Sequence, residues 1–343
     1  MHGPNNGHNG LQNNQSLSSP AVSILSSGFA VGSCSVLSEE VDRAFGMPIG
    51  KLRHRAGIES VRYASEAEDE ATLAATALHS ALLEANCSAP EIDWLIATSE
   101  THHDYPSLAA RLHSLVGLRE DCAAFDVGGA CLGFLNALAV AQSLMRSGKA
   151  CTIAIATADV HSRTLIPGRV AGEFGGLFGD GASAFLLRAS DVSASFPGAY
   201  QLGEFFFGCA SQYASAIRVR DTKDGALAVR FDGEALSRAA ISRLELVTRE
   251  IEQRSGIARA DVQGFATHQP NPRLVTLLAK QLHVPPESFP SIARTCGNLG
   301  SSTCGAALHA SLRCLSSAHL KTIFLASLGP GLVYGGGWLA GSA

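Results

Sequence analysis

Short apolar runs alternate with amphipathic stretches along the chain. In the apolar runs Ile, Val, Leu and Ala fill both alternating positions, which is typical of strands covered on both faces of an α/β sheet. We predict strands over Val22–Ala30, Ile92–Thr98, Ala123–Val127, Thr152–Ala158, Ala182–Leu187, Val262–Thr267, Thr322–Ser327 and Leu332–Leu339. Helical spacing and capping residues predict helices over Glu70–Asn86, Ser107–Val116 and Glu234–Ser255, and from Asn271 onward.

One further predicted helix is apolar on nearly all of its faces. The segment Leu132–Met145 carries few polar residues, so it must be buried on most sides. It follows the turn Gly128-Gly129-Ala130-Cys131. We therefore expect Cys131 to open a central, buried helix.

The order of elements is similar in the two halves of the chain. Each half has a strand, a glycine turn, an apolar helix and a further strand, and the turns contain Cys131 and Asn298 respectively. We predict two packed α/β halves over 21–190 and 191–343, preceded by a flexible tail at 1–20. Corresponding helix starts should then lie near each other, which brings Cys131 and Asn298 towards one site.

Composition excludes several classes of function. Hydrophobic residues make up 46% of the chain and charged residues 16%, and the net charge of −4 gives no electrostatic case for binding nucleic acid or an anionic membrane. No apolar run is long enough to predict a membrane span. Nine scattered cysteines without a Cys-x-x-Cys pair disfavour a disulfide framework or a zinc site. With no signal-peptide pattern at the N-terminus, we expect a cytoplasmic protein.

Three polar residues at element boundaries are candidates for chemistry. At a helix start, free backbone N–H groups and the helix dipole favour the thiolate of Cys131 and can hold an oxyanion; packing in a crowded turn is the alternative. His268 follows a strand, where α/β folds place their sites, or it is an ordinary loop histidine. Asn298 is either an amide donor working with His268 on a carbonyl oxygen or a turn residue.

Several motifs in order resemble the β-ketoacyl-ACP synthase III family of the thiolase superfamily, from about Val22 to the C-terminus. They are Arg55-Ala56-Gly57-Ile58, Phe125-Asp126-Val127, Ala130-Cys131, Gly133-Phe134, Phe178-Gly179-Asp180-Gly181-Ala182, His268-Gln269-Pro270-Asn271, Gly297-Asn298 and Gly329-Pro330-Gly331. The resemblance implies the thiolase fold, in which the two halves form a five-layered αβαβα core, and a cytoplasmic homodimer.

The resemblance also implies a decarboxylative condensation. Cys131 becomes acylated by an acyl thioester, a malonyl thioester loses carbon dioxide, and His268 and Asn298 stabilise the enolate that attacks the acyl-cysteine. The Cys131 amide and a loop amide near Gly329 and Gly331 would form the oxyanion hole. The product is a β-ketoacyl thioester of fatty acid or polyketide biosynthesis. The substrates are thioesters of coenzyme A or acyl carrier protein, and no metal or other cofactor is implied.

Departures from the family pattern concern donor recognition. The tryptophan expected before the Arg55 motif is missing and its threonine is Ala56, which favours an acyl carrier protein donor, although Arg55 remains for phosphates. Arg273 and Lys280 occupy positions that the family presents to the acidic carrier, or they are ordinary solvated helix charges.

Other departures concern the acyl pocket. Leu328 replaces the family's gatekeeping phenylalanine, and Pro330, which has no N–H, lies in the oxyanion loop. Tyr105 takes the place of the aromatic that closes a partner subunit's pocket. We expect the long segment Arg163–Gly176, which holds Arg169 and Glu173, to reshape the entrance, and Asn271 completes the substrate-binding set. These differences suggest a specialised enzyme for longer or branched acyl donors.

Three alternatives remain open. An acyl-Cys131 enzyme can instead transfer its acyl group to an alcohol or amine, but such relatives often alter the asparagine that Asn298 retains. A non-catalytic partner subunit commonly lacks the nucleophile, whereas Cys131 is present. The third alternative is an α/β protein with no recoverable function.

Overall fold

The computed structural model describes residues 20–190, 198–221, 227–314 and 322–341. Apart from Pro20, the predicted tail at 1–20 lies outside the described residues. The strands are β1 Ala21–Val31, β2 Cys34–Leu37, β3 Ser60–Tyr63, β4 Trp94–Thr98, β5 Ala123–Asp126, β6 Thr152–Val160, β7 Asp180–Ser190, β8 Tyr200–Leu202, β9 Phe206–Cys209, β10 Ile217–Asp221, β11 Leu227–Phe231, β12 Gly264–Thr267, β13 Thr322–Gly329 and β14 Val333–Gly341.

The α-helices alternate with these strands. They are α1 Ser38–Ala44, α2 Glu70–Glu84, α3 Leu108–Val116, α4 Gly133–Arg146, α5 Gly172–Gly175, α6 Gly233–Ser255, α7 Pro272–Leu282, α8 Ala293–Cys296 and α9 Ser302–Cys314. Within the described ranges, no helix is both long and apolar enough to cross a membrane.

Ten strands share one hydrogen-bonded sheet. Its order is β12-β13-β14-β8-β1-β7-β6-β4-β5, with β9 also paired to β14. Strand β8 joins the two halves, because it pairs antiparallel with β1 on one side and with β14 on the other. Strand β4 is parallel to both β5 and β6, and β12 is parallel to β13. Parallel neighbours therefore end at the same edge within each half.

Helices cover and separate the strands of the two halves. Helices α2 and α3 pack on the first half, and α6 packs on β13 and β14 of the second half and against α7. Between them lie α4 and α9, which contact each other, and α9 contacts strands of both halves. Their apolar side chains, among them Phe134, Leu138 and Leu308, are fully buried. This confirms the predicted five-layered αβαβα core.

The turn that holds Cys131 differs in detail from the prediction. Helix α4 begins at Gly133, and Cys131 lies just before it in a 3₁₀ turn over Ala130–Leu132. Gly129 sets up this turn with φ +142°, and a Cβ there would come 2.3 Å from the Asn136 side-chain nitrogen. Asn136 donates to the Gly128 carbonyl (3.0 Å). The glycines thus allow the chain to pass close to α4 before the helix starts.

Other predicted bounds shift by a few residues. The strand predicted from Val262 begins at Gly264, because a 3₁₀ turn over Arg259–Asp261 precedes it. The strand predicted from Leu332 begins at Val333, after another 3₁₀ turn. The strands β8 to β11 had no prediction, since they are short, and β8 and β9 mix exposed with partly buried positions.

Candidate active site

The predicted catalytic residues lie around one cavity at the carboxyl ends of parallel strands. Cys131 follows β5, His268 follows β12, and Asn298 precedes α9. All three line the cavity. The rest of the lining is mainly apolar: Phe174, Leu177, Phe178, Ile217, Phe231, Leu236, Ala240, Pro270, Leu274, Leu328, Pro330 and Leu332.

Cys131 is held by the end of strand β13. The Ser327 hydroxyl donates to the Cys131 carbonyl (2.7 Å), and both residues are buried. A Cβ at Gly329 would lie 3.2 Å from the Gly129 carbonyl oxygen, so the glycine loop packs closely on the nucleophile turn. The second half of the chain therefore positions the cysteine of the first.

His268 is buried and neutral. Its backbone N–H donates to the Ala326 carbonyl (3.1 Å), while the next residue, Gln269, accepts from the Ile292 N–H (3.1 Å). Burial lowers the pKa of His268 to about 4. Its Nδ1 atom has no hydrogen-bond partner within the part of the chain that the structure describes. The imidazole is thus anchored by backbone and can offer a neutral N–H to a ligand.

Asn298 is oriented by its own oxygen. The side-chain Oδ1 accepts from the Gly300 N–H (3.0 Å) and from the Thr303 hydroxyl (3.1 Å). Its backbone N–H donates to the Leu177 carbonyl and its carbonyl accepts from the Gly179 N–H. Because Oδ1 is occupied, the amide nitrogen is the group left to donate to a bound oxygen.

A second group of polar residues reaches Cys131, and sequence reasoning missed it. We call Glu100, Asp159 and His161 the charged cluster. The Cys131 sulfur lies 3.6 and 3.7 Å from the two carboxylate oxygens of Glu100. Nε2 of His161 is 3.5 Å from Glu100 Oε1. Asp159 accepts from the Glu100 N–H (2.7 Å) and from the N–H and hydroxyl of Ser301 (both 2.7 Å).

The charged cluster changes the electrostatics of Cys131. Burial, followed by the charges of Glu100 and Asp159, raises the pKa of Cys131 well above its usual value. The helix start was predicted to favour the thiolate, and this prediction is wrong for the resting thiol, because burial and a neighbouring carboxylate outweigh the backbone N–H groups. Cys131 therefore rests as a thiol in contact with a carboxylate.

Glu100 and His161 form an ion pair within the charged cluster. Burial alone would lower the pKa of His161, but Glu100, Asp159 and Asp180 together raise it to about 9. Burial would raise the pKa of Glu100, and His161 overcomes this and lowers it. Burial and the Glu100 charge raise the pKa of Asp159 to about 6. Glu100 is thus a carboxylate held beside an imidazolium at neutral pH.

Some of the remaining predicted residues line the cavity. Leu328 and Gly329 do, and so does Asn271, whose Oδ1 also caps α7 by accepting from the Leu274 N–H (2.9 Å). Gly331, next to the lining residue Pro330, has φ +123°.

Others lie outside the cavity lining as the structure describes it. Arg169 donates to the Thr164 carbonyl in its own loop (3.2 Å). Tyr105 is 96% exposed. Arg55 is exposed on the turn Leu52–Ala56, which contacts α7, and Arg273 and Lys280 are exposed on α7 itself.

Comparison with known proteins gives consistent results. The family profile of 3-oxoacyl-[acyl-carrier-protein (ACP)] synthase III matches residues 125–203, and the profile of its C-terminal part matches 253–340. The β-ketoacyl-[acyl-carrier-protein] synthase III of Haemophilus ducreyi is 32% identical over 295 residues, covering 84% of this chain and 87% of that protein. The corresponding Actinobacillus pleuropneumoniae protein is 29% identical over 293 residues, covering 84% and 88%.

Solved structures show the same fold. The 3-oxoacyl-(acyl carrier protein) synthase III, FabH, of Pseudomonas aeruginosa aligns with a TM-score of 0.83 at 25% identity, covering 93% of this chain and 98% of that one. OleA of Xanthomonas campestris aligns with a TM-score of 0.83 at 20% identity, covering 94% and 99%; at this identity the likeness concerns the fold alone.

The shared fold and the named relatives define a condensing enzyme of the thiolase fold. Such enzymes are acyltransferases that work through a cysteine thioester. More particularly, the chain belongs to the β-ketoacyl-[acyl-carrier-protein] synthase III family.

Proposed function

We propose that Cys131, His268 and Asn298 form the catalytic triad of a decarboxylative condensation between an acyl thioester and a malonyl thioester. The observation that carries this proposal is the placement of the three side chains around one largely apolar cavity, with the Asn298 amide turned to donate. Family membership supports the reaction class.

Acylation is the first half of the reaction. The Cys131 sulfur attacks the carbonyl carbon of the donor, the thiol of the carrier departs, and the acyl chain enters the apolar part of the cavity. The tetrahedral oxyanion needs backbone donors at the turn. The Cys131 N–H supplies one. Pro330 has no N–H, so the second donor is Gly329 or Gly331, in the loop whose Gly329 packs against this turn.

Decarboxylation and carbon–carbon bond formation follow. Loss of carbon dioxide from the malonyl thioester leaves negative charge on its thioester oxygen. Neutral His268 and the Asn298 amide donate to this oxygen, and both are already fixed by backbone contacts, so little reorganisation is needed. The enolate carbon then attacks the acyl-Cys131 carbonyl, which yields the β-ketoacyl thioester and frees the sulfur.

The donor is an acyl chain longer or more branched than acetyl. Leu328 and the aromatic and aliphatic lining around Phe174 and Leu274 offer an apolar surface without polar groups to satisfy. The carrier is an acyl carrier protein or coenzyme A. Arg55 on its turn and Arg273 and Lys280 on the adjoining α7 present basic groups near one another for acidic or phosphate groups.

The active form is a homodimer in a cytoplasmic setting. Tyr105 is 96% exposed, which suits an aromatic that closes the pocket of a partner subunit. The test is the mass in solution of the wild type against Tyr105→Ala, together with the acyl-chain preference of each.

Intact-protein mass spectrometry tests the nucleophile. Wild-type protein incubated with acetyl-, isobutyryl-, octanoyl- and lauroyl-CoA, and with the same acyl groups on acyl carrier protein, should gain one acyl group. Cys131→Ala should gain none, because the described cavity lining contains no other cysteine. Cys122→Ala, which removes another buried cysteine outside the cavity lining, is the matched control and should behave as wild type.

Three results would contradict parts of the proposal. A mass gain retained in Cys131→Ala would remove Cys131 as nucleophile. Acetyl donors acylating faster than all longer ones would overturn the chain-length assignment. An acylated enzyme that releases its acyl group to hydroxyl or amine acceptors but forms no β-ketoacyl product with malonyl thioesters would favour simple acyl transfer.

A further inference from the structure

The thiol of Cys131 must lose its proton as the sulfur is acylated. Burial raises the pKa of this thiol, so the proton is present at rest. Within the described residues, the hydrogen-bond contacts of the sulfur are to Glu100, and none is to His268. The Asn298 amide has no basic group. The proton acceptor in contact with the sulfur therefore lies outside the triad.

Glu100 is the basic group in contact with the sulfur. Both of its carboxylate oxygens lie within 3.7 Å of Cys131 Sγ, which places the S–H bond against a charged acceptor. The carboxylate follows β4, and Cys131 follows the neighbouring parallel strand β5. The two residues thus meet because their strands end at the same edge.

The surroundings hold Glu100 in one place and one charge state. Its backbone N–H is fixed by Asp159, and its Oε1 faces His161 Nε2 at 3.5 Å. The other ring nitrogen of His161, Nδ1, lies 3.4 Å from the Gly179 carbonyl, so an imidazolium can donate at both ends. His161 packs on Phe178 with ring centroids 4.5 Å apart. A buried ion pair adds little stability by itself, so this support of Glu100 indicates a functional role.

We propose that Glu100 is a further catalytic residue, which accepts the thiol proton of Cys131 during acylation, and that His161 is its positioning residue. This rests on the proposed acyl-Cys131 reaction. The S–H bond breaks as the proton passes to a Glu100 oxygen and sulfur bonds to the donor's carbonyl carbon. The bond from that carbon to the departing sulfur then breaks. The departing thiolate takes the proton, and Glu100 is a carboxylate again.

The contact has opposite consequences for two reactions of the same sulfur. Glu100 helps a reaction in which the proton must leave as the bond forms, but its charge disfavours the free thiolate. Alkylation by iodoacetamide requires the thiolate alone. Removal of the carboxylate should therefore slow acylation and favour alkylation. A merely structural glutamate would not move the two rates in opposite directions.

The experiment compares Glu100→Gln with wild type on both reactions. Single-turnover acylation by octanoyl-CoA is followed by quenched intact-mass spectrometry, and Cys131 alkylation by iodoacetamide is followed from pH 6 to 10. Glu100→Gln should lower the acylation rate about 100-fold or more. It should also move the alkylation profile to lower pH, because Asp159, His161 and His268 remain around the sulfur while the nearest negative charge is gone.

Two further variants make the result specific. Glu100→Asp keeps a carboxylate and should recover part of the lost acylation rate. Glu70→Gln is the matched control, since Glu70 accepts from the Thr101 hydroxyl just beyond Glu100 (2.7 Å) without touching Cys131. It should leave both reactions unchanged.

The failure of this inference is distinct from failure of the proposed function. Wild-type protein that no acyl thioester acylates would remove the proposed function and the inference with it. Wild-type acylation with an equal or faster rate in Glu100→Gln would overturn the role of Glu100 alone. Alkylation in Glu100→Gln that follows the wild-type pH profile would also overturn it, because the charge of Glu100 would then not act on the thiol. A loss of both reactions with no recovery in Glu100→Asp would overturn it as well.

Discussion

The two sides of Cys131 differ in charge. On one side, His268 and Asn298 are neutral, and the hydrogen bonds of the Asn298 oxygen leave its amide nitrogen to donate to a ligand. On the other side, the charged cluster places a carboxylate and an imidazolium within reach of the sulfur. His268, Asn298, Asp159 and His161 are buried and Glu100 is partly buried, so solvation of surface charge explains neither side.

This difference separates two chemical tasks around one atom. Neutral donors stabilise negative charge that develops on an oxygen, and a fixed carboxylate would be unfavourable there. A carboxylate accepts a proton, which the Asn298 amide cannot do. The Asn298 loop touches both sides, because Ser301 donates twice to Asp159 while Gly300 donates to Asn298.

Asn298→Ala should have the largest effect on the donor side. Removal of one preorganised donor should lower the condensation rate with malonyl thioesters about 10²- to 10³-fold. Acylation of Cys131 should continue, because the enolate forms only afterwards. The two half-reactions are measured separately, by product formation and by the mass of the acyl-enzyme, so acylation is the internal control. Equal losses of the condensation rate and the acylation rate would show that the donor side and the charged side do not serve separate steps.

Sequence alone predicts the donor side well. Strands end just before Cys131 and His268, and the glycine turn at Asn298 repeats the order of elements around Cys131, so a shared site follows from two similar halves. The motifs around these residues then indicate the family. Helix and strand bounds also agree to within a few residues, because apolar periodicity determines most of them.

The charged cluster was not predictable in the same way. Glu100 and Asp159 are 59 positions apart, and they meet only because β4 pairs with β6, which local patterns do not reveal. One signal was present: Asp159 is a charged residue within the otherwise apolar run of β6, and His161 directly follows it. A buried carboxylate in a covered strand needs partners, and that need could have directed attention to strand ends nearby.

Gly300→Ala should displace the charged cluster, and its effect on the reaction should be smaller than that of Asn298→Ala. Gly300 has φ +58°, and an added Cβ would lie 2.0 Å from Glu100 Oε1, 2.6 Å from His161 and 2.7 Å from Asp159. The cluster must move to accommodate it. Gly117→Ala is the matched control, because Gly117 has φ +70° and open space around it.

The pair of glycine variants separates backbone strain from crowding. Gly117→Ala should lower the free energy of unfolding by about 1 kcal/mol through strain alone. Gly300→Ala should cost about 2 kcal/mol more through overpacking and should also slow Cys131 acylation. Urea unfolding and the acylation assay measure both. Equal losses of unfolding free energy in the two variants, with unchanged acylation, would mean that the charged cluster tolerates displacement. Acylation of Cys131 would then not depend on the geometry of the cluster.

His161→Phe tests the ion pair of the charged cluster, and the dependence of its effect on pH is informative. The pKa of His161 in the folded protein, about 9, lies above its ordinary value of 6.5. A raised pKa means that the protonated ring favours the folded state, so its stabilisation is complete below pH 6.5 and is lost as pH rises through 9. Phenylalanine preserves the packing on Phe178. The stability gap between wild type and variant should therefore narrow between pH 6.5 and 9.5 in urea unfolding.

The charge of Glu100 is the main cause of this dependence, and a double variant can test that. In a Glu100→Gln background, His161→Phe should produce a smaller gap with little change over the same pH range, since only Asp159 and Asp180 then favour the imidazolium. A gap that stays constant with pH in the wild-type background would mean that His161 is neutral throughout. Glu100 would then be a partly buried carboxylate without a cationic partner, and the charged cluster would not contain the ion pair that the contacts indicate.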